Sequence, residues 1–241
     1  MEYYSTLAFV LMQEPIKEHD RRYIFFTREF GKLSLSAPGA RKINAKLAGH
    51  LEIPTLTQIQ FTMSRNPRLI TALEEIPYLE IKKKKEALTT AFWITDLVNE
   101  LTIEKQSDAD IWKLLFDAFY FLEKNLNKFP EATDFTWLYF NTQFLKILGF
   151  SPFLDGCIEC GSKINNKFFS FERKGIVCNL HHQKNDWPIN SQQRRFLDFL
   201  FNSAFRDFAQ TILIREILKE KRYLQKFLSK FTLIIKSDII Q

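Results

Sequence analysis

The sequence predicts an α+β multidomain chain: an N-terminal OB-fold β-barrel, then an α-helical bundle with a zinc ribbon inserted in it. Three observations carry that prediction. The first eighty residues read as short β-rich runs between turn signals, and after the run KKKKEA (82–87) apolar side chains recur every third or fourth residue. All three cysteines and two of the four histidines fall between residues 157 and 182.

The elements follow in order. TLAFVLMQ is apolar and β-rich, and RRYIFFT follows it after the polar loop EPIKEHD. GKLSLSA alternates strictly and is joined to RRYIFFT by the tight REFG turn. TLTQIQFTMS alternates Leu56, Ile59, Phe61 and Met63 with polar partners, and RLITALEE follows Pro67. Five short strands, with ARKINAKLAGHL as a short helix or basic loop between the third and fourth, give the outline of an OB-fold. The lysine run reads as a solvated linker. Helical periodicity then runs through EALTTAFWITDLVNELTI, DADIWKLLFDAFYFLEKNLNKF and DFTWLYFNTQFLKILGF. Asp108 is placed to cap the second of these, Pro130 separates it from the third, and Gly149 closes the third. Helices resume at SQQRRFLDFLFN, and a last segment sets Leu213, Ile217, Leu224, Leu228 and Phe231 opposite Arg215, Lys219, Arg222, Lys226 and Lys230. Those five cations are either a solvated face or a dock for an acidic partner or DNA. The expected divisions are residues 1–80 for the DNA-binding barrel, 86–150 and 189–241 for the helical domain, and 151–188 for the ribbon.

The ribbon's ligands follow from spacing. Cys157 and Cys160 form a C-x-x-C turn closed by Gly161, and Cys178 with His181 forms C-x-x-H. Two such knuckles supply the corners of a tetrahedron that zinc commonly occupies. His182 is the weaker alternative to His181, because it lengthens the second knuckle by one residue. Four protein ligands leave no open position, so the expected ion is structural and supplies folding energy rather than Lewis acidity. KFFSFE and RKGIV supply two short strands between the knuckles.

Charge narrows the function. The chain carries 34 Lys and Arg against 28 Asp and Glu. Residues 1–85 hold 14 basic against 9 acidic side chains, and residues 206–241 hold 8 against 4, which leaves the middle slightly acidic. Two basic ends point to a polyanion partner. Arg21, Arg22, Arg28, Lys32, Arg41, Lys42, Lys46, Arg65 and Arg68 all fall in the expected barrel, with Tyr23, Phe25 and Phe26 among them. Alternation sends some of those aromatics inside, and the cations would contact phosphates rather than read bases. No apolar run approaches the length of a membrane span, and MEYYSTLAFVLMQEP reads as a strand rather than a leader, so a cytoplasmic protein is expected.

Phosphate-binding, zinc-protease and nucleophile-elbow motifs are absent from the sequence. His19 and His50, the histidines outside the ribbon, have no nucleophile beside them in sequence. Catalytic residues are therefore expected to be none.

KEHDRRYIFFTREFGKLSLSAPGARK (17–42) resembles the N-terminal signature of the RecO recombination mediators. LGFSPFLDGCIECG (148–161) is similar to that family's helix end and first zinc knuckle, and Lys236–Ser237 to its C-terminal tail. The resemblance runs the length of the chain in the family's order. It implies a non-enzymatic DNA repair protein, associated with the bacterial nucleoid, that binds single- and double-stranded DNA and anneals complementary strands. It also implies work with RecR in loading RecA onto DNA covered by single-strand DNA-binding protein, whose acidic tail the helical part recognises. By position, the basic residues from Arg21 to Lys46 would contact DNA, and Cys157, Cys160 and Cys178 would hold zinc. The family's second knuckle is often C-x-x-C, and here His181 takes the fourth place. Two other classes stay in view: a zinc-ribbon nuclease with a dispersed acidic site, and an adaptor that binds only proteins.

Overall fold

The computed structural model describes residues 2–16, 18–41, 51–163, 167–203 and 213–240. Lys42, Lys46, His50 and most of the segment expected between the third and fourth strands lie outside the described residues. The chain forms two compact units, residues 1–136 and 137–241.

The first unit opens with the barrel. Strands β1 (Tyr3–Pro15), β2 (Arg21–Thr27), β3 (Gly31–Ala37), β4 (Leu56–Thr62) and β5 (Arg68–Ile76) close in the order β1-β2-β3-β5-β4. All neighbours are antiparallel except β3 and β5, which meet in parallel at Ser36 and Arg68. Alternation sends Ala8, Val10, Tyr23, Phe25, Leu33, Leu35, Ile59 and Phe61 inward, where they form the barrel core. Gly31 sits at φ +66°, and a Cβ there would lie 2.0 Å from the Gln106 carbonyl oxygen, so the turn into β3 demands glycine.

Helices α1 (Leu79–Lys83), α2 (Lys85–Leu101) and α3 (Ala109–Asn125) complete this unit with the start of α4 (Ala132–Ile147). Asp108 caps α3 as expected, accepting from the Asp110 and Ile111 amides at 2.9 and 3.0 Å. The Glu123 carboxylate, far away in sequence, accepts from the Glu80 and Ile81 amides at the start of α1, both at 3.1 Å. Phe9 points outward from β1, and its ring centroid lies 5.0 Å from Trp112 and 5.5 Å from Phe119.

The lysine run corrects the sequence reading. It is not a solvated linker: Lys82 and Lys83 end α1, Lys84 is extended, and Lys85 opens α2. Lys82 Nζ donates to Thr55 Oγ1 at 3.0 Å, and Lys84 Nζ to the Leu126 carbonyl at 2.9 Å and to Asn127 Oδ1 at 2.7 Å. Long stems let these ammonium groups reach carbonyls and hydroxyls at the ends of neighbouring elements.

The second unit holds the rest of α4, the three-stranded ribbon β6 (Phe168–Ser170), β7 (Gly175–Val177) and β8 (Trp187–Pro188), then α5 (Ser191–Asn202), α6 (Leu213–Lys219) and α7 (Lys221–Ile240). The ribbon's order is β7-β6-β8, all antiparallel. Asn190 and Gln193 form a reciprocal capping box at the start of α5. Thr232 on α7 donates to Asn141 Oδ1 on α4 at 2.9 Å, and Lys146 Nζ donates to the Phe201 carbonyl at 2.8 Å. The last helical segment breaks at Glu220 instead of running through. Its expected apolar face holds nonetheless: Ile217, Leu224, Leu228 and Phe231 are buried, while Arg215, Lys219, Arg222, Lys226 and Lys230 are exposed.

Candidate nucleic-acid interface and metal centre

Strand register decides which barrel cations share a surface. Glu14 pairs with Arg22, Arg22 with Ser36, Ser36 with Arg68, Arg68 with Thr62, and Thr62 with Tyr3. Paired residues point to the same side of a sheet, so this is one outward row that winds across the barrel from Glu14 to Tyr3 at the two ends of β1. Arg22 and Arg68 are exposed on it with the half-buried Ser36 between them. Arg65, exposed in the β4–β5 turn, lies three residues before Arg68, and Arg41, exposed beyond β3, five residues after Ser36. The Arg41 amide donates to the His19 carbonyl at 3.0 Å, and the Gly39 amide to Asp20 Oδ1 at 2.8 Å, which ties the segment after β3 to the β1–β2 loop. Arg21 is half-buried in the adjacent row and donates to Gln13 Oε1 at 2.7 Å.

Arg28 and Lys32 are not on that row. Arg28 lies at the β2–β3 turn, six residues from Arg22 along the strand or about 20 Å at the usual rise, and Lys32 lies opposite Phe26. Arg28 is paired with Glu29 at 2.8 Å. Lys32 Nζ donates to the Asn99 carbonyl at 2.6 Å, and burial holds its pKa below the usual lysine range, against the attraction of Glu104. Among the exposed cations of the row, Arg22 has a partner in Glu14 at 3.0 Å.

The aromatic platforms expected among these cations are not available. Tyr23, Phe25 and Phe26 are all fully buried. Alternation turns Tyr23 and Phe25 into the core. Phe26 faces outward, but it shares a row with Phe9, whose ring lies against Trp112 and Phe119.

In the second unit the two knuckles converge. The ligand atoms of Cys157, Cys160, Cys178 and His181 all lie within 4.8 Å of one another, so the cluster can hold a metal ion. Cys160 Sγ is 3.9 Å from Cys178 Sγ, and His181 Nδ1 is 3.6 Å from Cys157 Sγ and 3.2 Å from Cys178 Sγ. The first knuckle folds through a 2.8 Å bond from the Gly161 amide to the Cys157 carbonyl, with Gly161 at φ +71°. Burial pushes the Cys157 thiol up, but the amides of Cys178, Cys160 and Glu159 favour the thiolate and bring it to about 6. Burial likewise opposes the Cys178 thiolate, and the His181 ring and the Leu180 and His181 amides outweigh it, lowering that thiol. The His181 imidazole is raised by its bonds to Cys178 and then Cys157. His182 turns away: its ring stacks on Phe168 at 3.7 Å, and its Nδ1 lies 3.7 Å from Asp186.

Arg173 was missed by sequence reasoning. From the hairpin turn its guanidinium donates to Ser170 Oγ, Glu159 Oε1, the His181 carbonyl and Asp186 Oδ2, the last at 2.9 Å. It thereby fixes the backbone of His181. An arginine between Glu172 and Lys174 gave no signal of this, because its partners are brought together only by the closed ribbon. Phe169 and Phe171, on the same hairpin, pack on Phe227 of α7 at centroid distances of 4.7 and 5.1 Å.

Comparisons with known proteins agree with this architecture. The family model for the Recombination protein O N terminal matches residues 1–78, and that for the Recombination protein O C terminal matches residues 84–231. A DNA repair protein RecO of Acetivibrio thermocellus is 24% identical over 239 residues, covering 95% of this chain and 94% of that protein. Another, of Caldanaerobacter subterraneus subsp. tengcongensis, is 27% identical over 224 residues, covering 92% and 89%. Barrel, helices and ribbon thus occur in the order that these two matched regions span, and the chain belongs to the RecO family of DNA repair proteins.

Proposed function

We propose that this chain is a non-enzymatic recombination mediator whose barrel holds sugar-phosphate chains along its row of arginines. The observation that carries this reading is the outward row Arg22–Ser36–Arg68 with Arg65 and Arg41 beside it. Exposed arginines suit backbone contact, which is independent of sequence and steeply dependent on salt. Arg21 contributes from the edge of that surface, and Lys42 and Lys46 extend the basic stretch in sequence. Annealing then needs no catalytic group: neutralising phosphates on two strands lowers their repulsion, and base pairing completes the reaction.

The metal in this reading is one structural zinc ion held by Cys157, Cys160, Cys178 and His181. With Zn–S of about 2.3 Å and Zn–N of about 2.0–2.1 Å, tetrahedral geometry puts sulfurs roughly 3.8 Å apart and sulfur roughly 3.6 Å from nitrogen. The distances of 3.9, 3.6 and 3.2 Å support that fit. The divisions that go with it are the barrel (1–80), the helical domain (86–150 and 189–241) and the ribbon (151–188).

The helical domain is assigned the protein partners: RecR, single-strand DNA-binding protein through its acidic tail, and RecA indirectly. A cavity of about 870 Å³ in the second unit supports the acidic-tail part, because Lys163, Lys167 and Arg194 surround its apolar lining of Phe168, Ile189 and Tyr223. No described helix is long and apolar enough to cross a membrane, and the site of action in this reading is the cytoplasmic nucleoid. Fluorescence annealing of complementary oligonucleotides, with and without single-strand DNA-binding protein, tests the whole. Acceleration in both conditions is expected. Cleavage of the strands on adding divalent metal, or no retention of DNA at low salt, would move the chain to the nuclease or adaptor class.

A further inference from the structure

The arginine row ends in an aromatic side chain. Tyr3 is 63% exposed, and it is the one aromatic side chain among the described barrel residues that presents most of its surface to solvent. Tyr23, Phe9, Phe25, Phe26 and Phe61 are fully buried, and Tyr4 and Phe30 pack against the core. Register places Tyr3 two strands from Arg68 through Thr62, and Arg68 two strands from Arg22 through Ser36. At the usual strand spacing each step is about 10 Å. Large side chains therefore alternate with small ones along the row: Tyr3, Thr62, Arg68, Ser36, Arg22. Met63, next to Thr62, and Ile70, two residues from Arg68, are also exposed. The neighbouring acid, Glu2, is engaged by the Tyr4 hydroxyl at 2.5 Å.

An exposed ring in register with cations, beside apolar surface, is the arrangement by which proteins hold single strands: phosphates on the cations and a base face on the ring. We propose that Tyr3 is a base-stacking platform for single-stranded nucleic acid whose backbone crosses the row at Arg68 and Arg22. The inference rests on the barrel reading above and adds to it a discrimination. Arginines engage phosphates of single and double strands alike, whereas a ring can stack only on a base that is not already held in a duplex. Tyr3 thus adds affinity for single strands alone and releases its base as that base pairs.

The test measures binding of a mixed-sequence single strand, the same strand carrying a run of abasic nucleotides, and the duplex. Wild type is compared with Tyr3→Ala and Tyr3→Phe, using full-length protein at low salt. Tyr3→Ala is expected to weaken single-strand binding by roughly 5- to 100-fold, the range of one base–aromatic stack. Duplex binding and the melting temperature should be unchanged. Tyr3→Phe should retain wild-type affinity, and on the abasic strand the three proteins should be alike. Equal single-strand affinity of wild type and Tyr3→Ala would overturn the platform while leaving the arginine row intact. Parallel losses on single strand and duplex would overturn it too, as would loss of affinity in Tyr3→Phe. Failure of wild type to bind any of the three would bring down the barrel reading and this inference together.

Discussion

Replacing Cys157 with serine separates the two halves of the ribbon. On its metal side the ribbon has little core of its own: the buried cluster is Cys157, Val177 and Cys178, with Phe168 against it. Burying one valine contributes about 1.5–3 kcal/mol, too little to order two knuckles by itself. The opposite side is independent of the ion, because Phe169 and Phe171 pack on Phe227. A metal that binds only the folded protein stabilises it by about 2.7 kcal/mol at a free concentration one hundred times its Kd. At roughly 4–8 °C per kcal/mol for a small domain, zinc should raise the melting temperature of this unit by roughly 10–20 °C. Cys157→Ser should abolish that increment and leave the purified protein without stoichiometric zinc. Hydrogen exchange should accelerate at residues 157–162 and 178–182, while the Phe169 amide stays protected. Zinc content is read with a chromophoric chelator and stability by scanning calorimetry. Wild-type protein that binds no zinc, or a Cys157→Ser variant with undiminished zinc and an unchanged melting temperature, would refute the reasoning.

Two further outcomes follow from the same ribbon. Arg173→Ala removes the bonds that fix the His181 carbonyl and leaves the buried Asp186 carboxylate without its ion pair to arginine; metal affinity should fall about 10- to 100-fold, as for other residues that orient a ligand, measured by competition with a chelator. The pH dependence has a definite sign. The Cys157 and Cys178 thiols are held below their ordinary value, so their contribution to stability and metal binding is fully present above the ordinary thiol range. It is lost as pH falls through the folded-state value of about 6 for Cys157. Zinc release followed against pH should therefore rise on the acid side of neutrality, and release that increased with rising pH would contradict the assignment.

Periodicity made the faces of elements legible. Alternation located β3 and β4, because a half-buried strand must send every second side chain inward, and β-rich runs between turn signals located the other three. The 3.6-residue period found α2, α3 and α5, and the spacing of the two knuckles picked out the four side chains that cluster closely enough to hold a metal ion. What periodicity cannot carry is which ends and which distant atoms meet. Arg22 and Arg28 look like one cluster in sequence, yet the length of β2 separates them. Lys32 reads as a surface cation until the Asn99 carbonyl, in α2, takes its ammonium group. Lys82 and Lys84 read as solvent-facing because their partners Thr55, Leu126 and Asn127 are distant in sequence. Tyr3 was unremarked for the opposite reason: only closure of β4 onto β1 and β5 sets it in line with Arg68.

The salt dependence of single-strand binding tests the central assignment most directly. Arg65→Gln with Arg68→Gln removes two phosphate contacts, and each contributes about 0.7 to the slope of log K against log salt. The double variant should therefore bind more weakly at low salt with a slope shallower by about 1.4, while Arg28→Gln, off the row at the far end of β2, should match wild type. An unchanged slope in the double variant, or an equal loss in Arg28→Gln, would contradict the placement of the strand along this row.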